Sequence, residues 1–341
     1  MHDVVPLQIQ TLYQSLLDAH LSAGRTDPEL GAPYLRTIRG RPYWIVRYRV
    51  GPHVRTRHIG PDTEEVRARV AAIRQQNEDH RAFERRCASM VGQLRMGRIP
   101  TLDALSGSLL RGLADAGLFD LGGTLVGTHA FRLYDLEVGR FVTSSVLAQT
   151  EDLDIASYDR LSVVLADEYG ERADPPITGI LSDFGLAPAV TLDPKGRATR
   201  WRDRTGAAAV DFLSPALTSD TSPVKLAALG VWAARLRFLN YLIADPIPAV
   251  ALYRAGIPVR IPRPERYAIH KLIVSQERSA NAEAKARKDL AQARALILAL
   301  AQDRPYELES AYEAAVENGP RWRELIERAL GLMPDVKALL P

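Results

Sequence analysis

The sequence predicts an α+β protein in three parts: an N-terminal helix with a small basic β-hairpin, a mixed sheet flanked by helices, and a helical C-terminal region. Three observations predict it. The spacing of apolar residues changes from helical to alternating near residue 37, helices and short apolar strands then alternate irregularly from Leu102 to Leu213, and the pattern is almost wholly helical from Pro264 onward. The parts are expected at residues 1–98, 99–262 and 263–341, and a chain of 341 residues that is 46% hydrophobic and 25% charged can bury a substantial core in them.

In the first part, Leu7, Ile9, Leu12, Leu16, Leu17 and Leu21 mark an amphipathic helix that Gly24 would end. The run Tyr43 to Arg49 and the run Val54 to Ile59 are aromatic and β-branched, and the Gly51-Pro52 break between them predicts a hairpin closed by Gly60-Pro61. Asp62 with Glu65 three residues on reads as a capping box opening a long charged helix to about Met96. In the second part, a helix from Leu102 leads to Gly122–Phe131, a short apolar strand ending in a tight turn that opens another helix. Further strands are expected at Asp152–Ile155, Val190–Asp193, Arg197–Asp203 and Ala207–Leu213. The third part is Ala- and Arg-rich helix, such as Ala282–Gln302.

Asp152-Leu153-Asp154-Ile155 carries the most chemical information. On a strand, alternate side chains share a face, so the two carboxylates project together while Leu153 and Ile155 enter the core. Such a pair repels itself unless a cation lies between or one member is protonated. Hard oxygen ligands of this kind suit Mg²⁺ and phosphoryl transfer, although an isolated Asp-x-Asp is also common in surface turns. Upstream, Gly127-Thr128 stands at a strand-to-helix turn; downstream, Asp211 is flanked by Val210 and Phe212, as on a strand.

This ordered set resembles the nucleotidyltransferase fold of the DNA polymerase beta superfamily. More narrowly, Leu125–Phe131, Thr150–Ala156 and Pro264–Leu272 look like a bacterial group of nucleotidyltransferase-like proteins, a resemblance covering roughly residues 100 to 300. It implies that Asp152, Asp154 and Asp211 ligate two Mg²⁺ ions, with Mn²⁺ the alternative, and that Asp211 orients or deprotonates the attacking hydroxyl. It further implies that Gly127 and Thr128 contact the β- and γ-phosphates of a nucleoside triphosphate and that Lys271 neutralises them, although a solvated helix face also explains such a lysine. The reaction implied is in-line attack on the α-phosphorus with loss of pyrophosphate, onto an RNA end such as that of tRNA or onto a protein hydroxyl. Two features depart from the superfamily pattern: Gly127-Thr128-His129 stands where Gly-Ser or Gly-Gly is usual, with Thr128 keeping a hydroxyl, and about 25 residues separate Gly127 from Asp152. Lys288-Asp289 resembles a pair in the C-terminal helices of toxin-type relatives, and an ordinary charged helix face reads it equally well. His129 and His270 flank these motifs and read as hydrogen-bonded structural histidines.

Charge balance adds little, because 44 Lys plus Arg against 41 Asp plus Glu leave a net charge of only +3. Its distribution adds more. Between Arg36 and Gly60 lie seven arginines (Arg36, Arg39, Arg41, Arg47, Arg49, Arg55, Arg57) and no carboxylate, interleaved with Tyr43, Trp44 and Tyr48. Edge strands carry charge to prevent aggregation, but this density exceeds that need and favours an anionic partner, whether RNA, DNA or an acidic protein surface. The alternative to an enzyme is therefore a non-catalytic nucleic-acid or nucleotide-binding adaptor built on the same scaffold. A P-loop, a zinc-hydrolase motif, a dinucleotide fingerprint and a Gly-x-Ser-x-Gly elbow are all missing. A single cysteine, Cys87, excludes an intramolecular disulfide, and the start of the chain lacks a leader pattern. The most apolar stretch, Leu226–Ala244, carries Arg235 and Arg237, so a cytoplasmic protein without a membrane partner is expected.

Overall fold

The computed structural model describes residues 3–23, 31–50, 53–144, 147–148, 152–169 and 177–340. Gly24, the Gly51-Pro52 break, Thr150 and Glu151 lie outside them. In chain order the elements are α1 (Leu7–Ala23), β1 (Ala32–Ile38), β2 (Arg41–Val50), β3 (His53–Pro61), α2 (Glu64–Met96) and α3 (Ala104–Asp115). Next come β4 (Thr124–Val126), α4 (Gly127–Phe131), α5 (Tyr134–Val138), β5 (Asp152–Ala156), α6 (Asp159–Tyr169), α7 (Ile177–Asp183), β6 (Ala187–Pro188), β7 (Arg200–Arg202) and β8 (Ala209–Pro215). There follow β9 (Val224–Leu226), β10 (Val231–Leu236), α8 (Leu239–Leu242), β11 (Ile247–Ala251) and β12 (Ile257–Ile261). The helices α9 (Pro264–Glu277), α10 (Glu283–Asp303), α11 (Pro305–Val316), α12 (Pro320–Gly331) and α13 (Pro334–Lys337) complete the chain.

The basic N-terminal segment is a three-stranded antiparallel meander rather than the two-stranded hairpin expected from sequence. The additional strand is β1, joined to β2 by a two-residue turn in which Arg39 (φ 50) and Gly40 (φ 77) are both left-handed. That is the backbone of a type I′ hairpin turn, which normally advertises itself as Asn-Gly, so Arg-Gly hides it. The cap of α2 also differs from expectation. Thr63, not Asp62, is the N-cap, its hydroxyl accepting from Val66 N at 3.3 Å; the Asp62 carboxylate instead accepts from Trp44 Nε1 and from the Arg67 guanidinium.

The central sheet is mixed. β4 runs antiparallel to β5, β5 parallel to β8, and the far edge of β8 is shared: β7 pairs antiparallel with Ala209–Asp211 and β10 parallel with Leu213–Pro215. β9 extends the sheet beyond β10, and β6 lies beside β7. Val190–Asp193 is not a strand. Val190 and Leu192 are 95% and 103% exposed in a loop, so their alternation has no neighbouring strand to satisfy it. The apolar stretch from Leu226 to Ala244 is used in the end of β9, in β10 and in α8.

One core runs from Leu102 to Leu340, uniting the central sheet with the C-terminal helices. Trp322 of α12 packs edge-on against Phe238 and Tyr241, and Phe131, Tyr134 and Tyr267 form a ring cluster that seats α9 against α4 and α5. A second core places α1 on the β11–β12 ribbon, burying Tyr13, Leu16 and Leu17 at helical spacing together with Cys87 of α2. There the Tyr13 hydroxyl donates to Glu137 Oε1 at 2.5 Å and accepts from Val250 N at 3.1 Å. No helix among the described residues is long and apolar enough to cross a membrane.

Candidate active site

The central sheet brings the predicted carboxylates together. On β5, Leu153 and Ile155 are buried at 1% and 0% exposure while Asp152 and Asp154 take the opposite face. Asp211 on β8 is the direct register partner of Asp154, and both of its neighbours, Val210 and Phe212, are fully buried. Parallel pairing thus fixes two acids side by side on one face, with Asp152 two residues away on the same strand.

Between them stands a residue the sequence did not single out. Arg200 on β7 is the register partner of Asp211; its Nη2 donates to Asp152 Oδ2 at 2.7 Å and its Nη1 to Asp211 Oδ2 at 3.2 Å. The guanidinium supplies the cation that clustered carboxylates require. Among the described residues, no group of three or more His, Cys, Asp or Glu side chains has metal-holding geometry, and Arg200 stands between Asp152 and Asp211. Asp154 is left outside that pair. Its burial, reinforced by the charge of Asp211, pushes its carboxyl up to about 7, with Lys271 pulling the other way. Burial also raises the Asp211 carboxyl, against the opposing charge of Arg200.

Gly127 closes the site from β4. Its φ is +65, and a Cβ there would collide with the Asp154 carboxylate, so glycine is demanded by the acid it faces. Thr128 follows, half-buried, on the same turn, which continues as a helix of only five residues. The Tyr267 hydroxyl lies 3.0 Å from both the Gly127 carbonyl oxygen and Gln292 Oε1, tying the turn to α9 and α10. Gly127→Ala should therefore cost about 1–3 kcal/mol from its backbone conformation alone, and more from the collision. Urea unfolding that matches the wild type would contradict this account of the turn.

Lys271 on α9 is not on a solvated face. Its Nζ donates to Asp289 Oδ1 at 2.5 Å and lies 5.2 Å from the centre of the Tyr267 ring. Arg278 Nε donates to the other oxygen of Asp289 at 2.9 Å. Burial alone would raise the Asp289 carboxyl, but the two cations hold it below the usual carboxylate range. Of the adjacent Lys288 and Asp289, Asp289 is buried and paired with Lys271, whereas burial, followed by the charge of Lys271, lowers the Lys288 ammonium. His129 and His270 are buried as expected but not hydrogen-bonded as expected: both ring nitrogens of His129 and Nδ1 of His270 lack a partner among the described residues. Burial takes each imidazole down to about 3, so both are neutral. The strand arginines lie apart from the acids, on the N-terminal sheet, where Arg55 Nη2 reaches Asp183 of α7 at 2.7 Å.

Arg200, Tyr267 and Gln292 were beyond sequence reasoning. A strand at Arg197–Asp203 was expected, but its register against β8 was not legible, and that register alone puts Arg200 opposite Asp211.

The sequence model of a nucleotidyltransferase family matches residues 104–317, more than half of the chain. The chain belongs to that family. The match begins at α3 and ends just after α11, so it contains every acid of the site together with Gly127, Lys271 and Arg200. Family membership makes this transferase an enzyme of nucleoside-triphosphate-dependent nucleotidyl transfer. Residues 8–68 match a separate domain family of unknown function, which spans α1, the three-stranded sheet and the start of α2. Among solved structures, an antigenic nucleotidyltransferase-like protein from Paracoccidioides brasiliensis is 14% identical and superposes with a TM-score of 0.31, over 67% of this transferase and 94% of that chain. No curated protein matches.

Proposed function

We propose that this transferase moves a nucleoside monophosphate from a triphosphate to a hydroxyl acceptor, releasing pyrophosphate, with Asp152, Asp154 and Asp211 as its catalytic and metal-ligating groups. The register of Asp154 against Asp211, with Arg200 bridging to Asp152, carries the reading. Three carboxylates, two of which already hold a guanidinium, offer hard oxygen donors that fit a divalent cation, Mg²⁺ in preference to softer metals. When bound, that ion neutralises the triphosphate and the developing charge at the α-phosphorus.

The chain's own groups do the rest. Asp211 accepts the proton of the acceptor hydroxyl as its oxygen bonds to the α-phosphorus and the bond to the β-phosphate oxygen breaks. Arg200 gives up its two carboxylate partners as the site fills. Lys271 of α9 and Lys288 of α10, whose charges both interact with Asp154, balance the polyphosphate, and Gly127 with Thr128 lets the backbone approach it closely. The test is to incubate the protein with each α-labelled triphosphate and cellular RNA or protein, with and without Mg²⁺. Label in a macromolecule and stoichiometric pyrophosphate, both dependent on Mg²⁺, are expected. Metal-independent nucleotide binding without pyrophosphate release would favour the adaptor and overturn the enzyme.

A further inference from the structure

The strand register sorts the basic segment into two faces. Directly opposed residues of antiparallel strands point the same way, as do alternate residues of one strand. One face therefore carries Ala32, Arg47 and Thr56 in a row, then Tyr34, Ile45 and His58, then Arg36 beside Tyr43, with Arg41 beyond Ile38 at one end and Arg49 beside Val54 at the other. The opposite face carries Trp44, Val46, Arg55, Arg57 and Gly60, and α2 lies against it: Arg74 sits over the Trp44 ring at 5.4 Å, and Val66 stands where a Cβ on Gly60 would point. Arg39 belongs to neither face, being at the turn.

The seven arginines are thus not equivalent. Arg55 is engaged by Asp183, whereas Arg36, Arg41, Arg47 and Arg49 are exposed and make no ion pair among the described residues. No acidic residue occurs anywhere from Ala32 to Pro61. Between these arginines lie two half-buried tyrosines, an exposed histidine and an exposed threonine around the buried Ile45.

We infer that this face binds single-stranded RNA, whether or not the chain transfers nucleotides. The chemistry on the page selects the ligand. Four uncompensated guanidiniums match a phosphate backbone, and Tyr34 and Tyr43 offer rings on which unstacked bases can lie. Stacking on these rings requires bases that are not already stacked in a duplex, which favours a single strand. The hydroxyls of Thr56, Tyr34 and Tyr43 and the His58 imidazole supply partners for 2′-hydroxyls, the group that distinguishes RNA from DNA. An acidic peptide would satisfy the arginines and leave the rings unused.

The test uses the full chain without triphosphate and measures fluorescence anisotropy of a labelled 20-nucleotide unstructured RNA, the matching deoxy strand and a polyglutamate peptide. RNA is expected to bind more tightly than either. Replacing Arg36, Arg41, Arg47 and Arg49 together by Gln should weaken it at least tenfold and reduce the slope of log K against log salt by about 3. A charge-matched control, with exposed Arg81, Arg85, Arg95 and Arg323 changed to Gln, should stay within threefold of wild type. Tyr34→Leu with Tyr43→Leu should weaken RNA binding without altering the salt slope. Equal losses in the face variant and the control, or binding of the deoxy strand or the peptide as tight as that of RNA, would overturn the inference. Asp154→Asn should bind RNA normally, so failure here is distinct from failure of the transfer reading, which is scored by label alone.

Discussion

Asp154→Asn is expected to lower nucleotidyl transfer at least about 10³-fold, a loss of about 4 kcal/mol of transition-state stabilisation, while making the metal-free protein more stable at pH 8. The two effects have one cause. Asp154 is buried opposite Asp211, and its carboxyl is pushed up to about 7, so the folded chain holds a proton there that the unfolded chain has released. The native state binds more protons between about pH 4 and 7, so this group's contribution is full below that window and is lost as pH rises through 7. Asparagine has no charge to suppress. The gap in melting temperature between the variant and the wild type should therefore widen from pH 4 to 7 and plateau above it. A constant gap would mean that Asp154 is not crowded by its neighbours, and wild-type transfer by the variant would remove it from the catalytic set.

Asp289→Ala is expected to cost about 3–5 kcal/mol of folding stability, because it strands the buried Lys271 ammonium rather than because it deletes a bond. The Asp289 side chain is 5% exposed and that of Lys271 12%, and Arg278 completes the triad. A double variant, Lys271→Met with Asp289→Leu, should recover much of the loss, since no uncompensated carboxylate or ammonium then remains in the apolar seam between α9 and α10. Urea unfolding of the single and double variants checks both statements. Equal destabilisation by the two would show that the seam depends on the ion pair itself and not on charge balance. In transfer assays, the double variant separates stability from function: it should fold well and still use triphosphate poorly if Lys271 neutralises the polyphosphate as proposed.

The legible part of this protein was the part written in short-range pattern. Asp152-Leu153-Asp154-Ile155 states its own two faces, and the structure buries Leu153 and Ile155 accordingly. The long helix to Met96 and the Ala-rich α10 are likewise carried by local periodicity. What failed depended on partners far away in sequence. Val190 and Leu192 alternate like a strand and are nearly fully exposed, whereas β10, β11 and β12, absent from the sequence reading, are secured by neighbouring strands and a common core. Arg200 lies 48 residues from Asp152, and only the pairing of β7 with β8 brings the two together. Asp62 and Thr63 show the same limit on a smaller scale: both can cap a helix, and Trp44 and Arg67 draw Asp62 away.

In the proposed transfer, Asp152, Asp154 and Asp211 share a divalent cation in place of the Arg200 guanidinium. Mn²⁺ titration followed by electron paramagnetic resonance, in the presence of a non-hydrolysable triphosphate, measures this directly. Tight binding by the wild type, tighter binding without nucleotide in Arg200→Met, and loss in Asp211→Asn are predicted. Wild-type Mn²⁺ affinity in Asp211→Asn would contradict the claim.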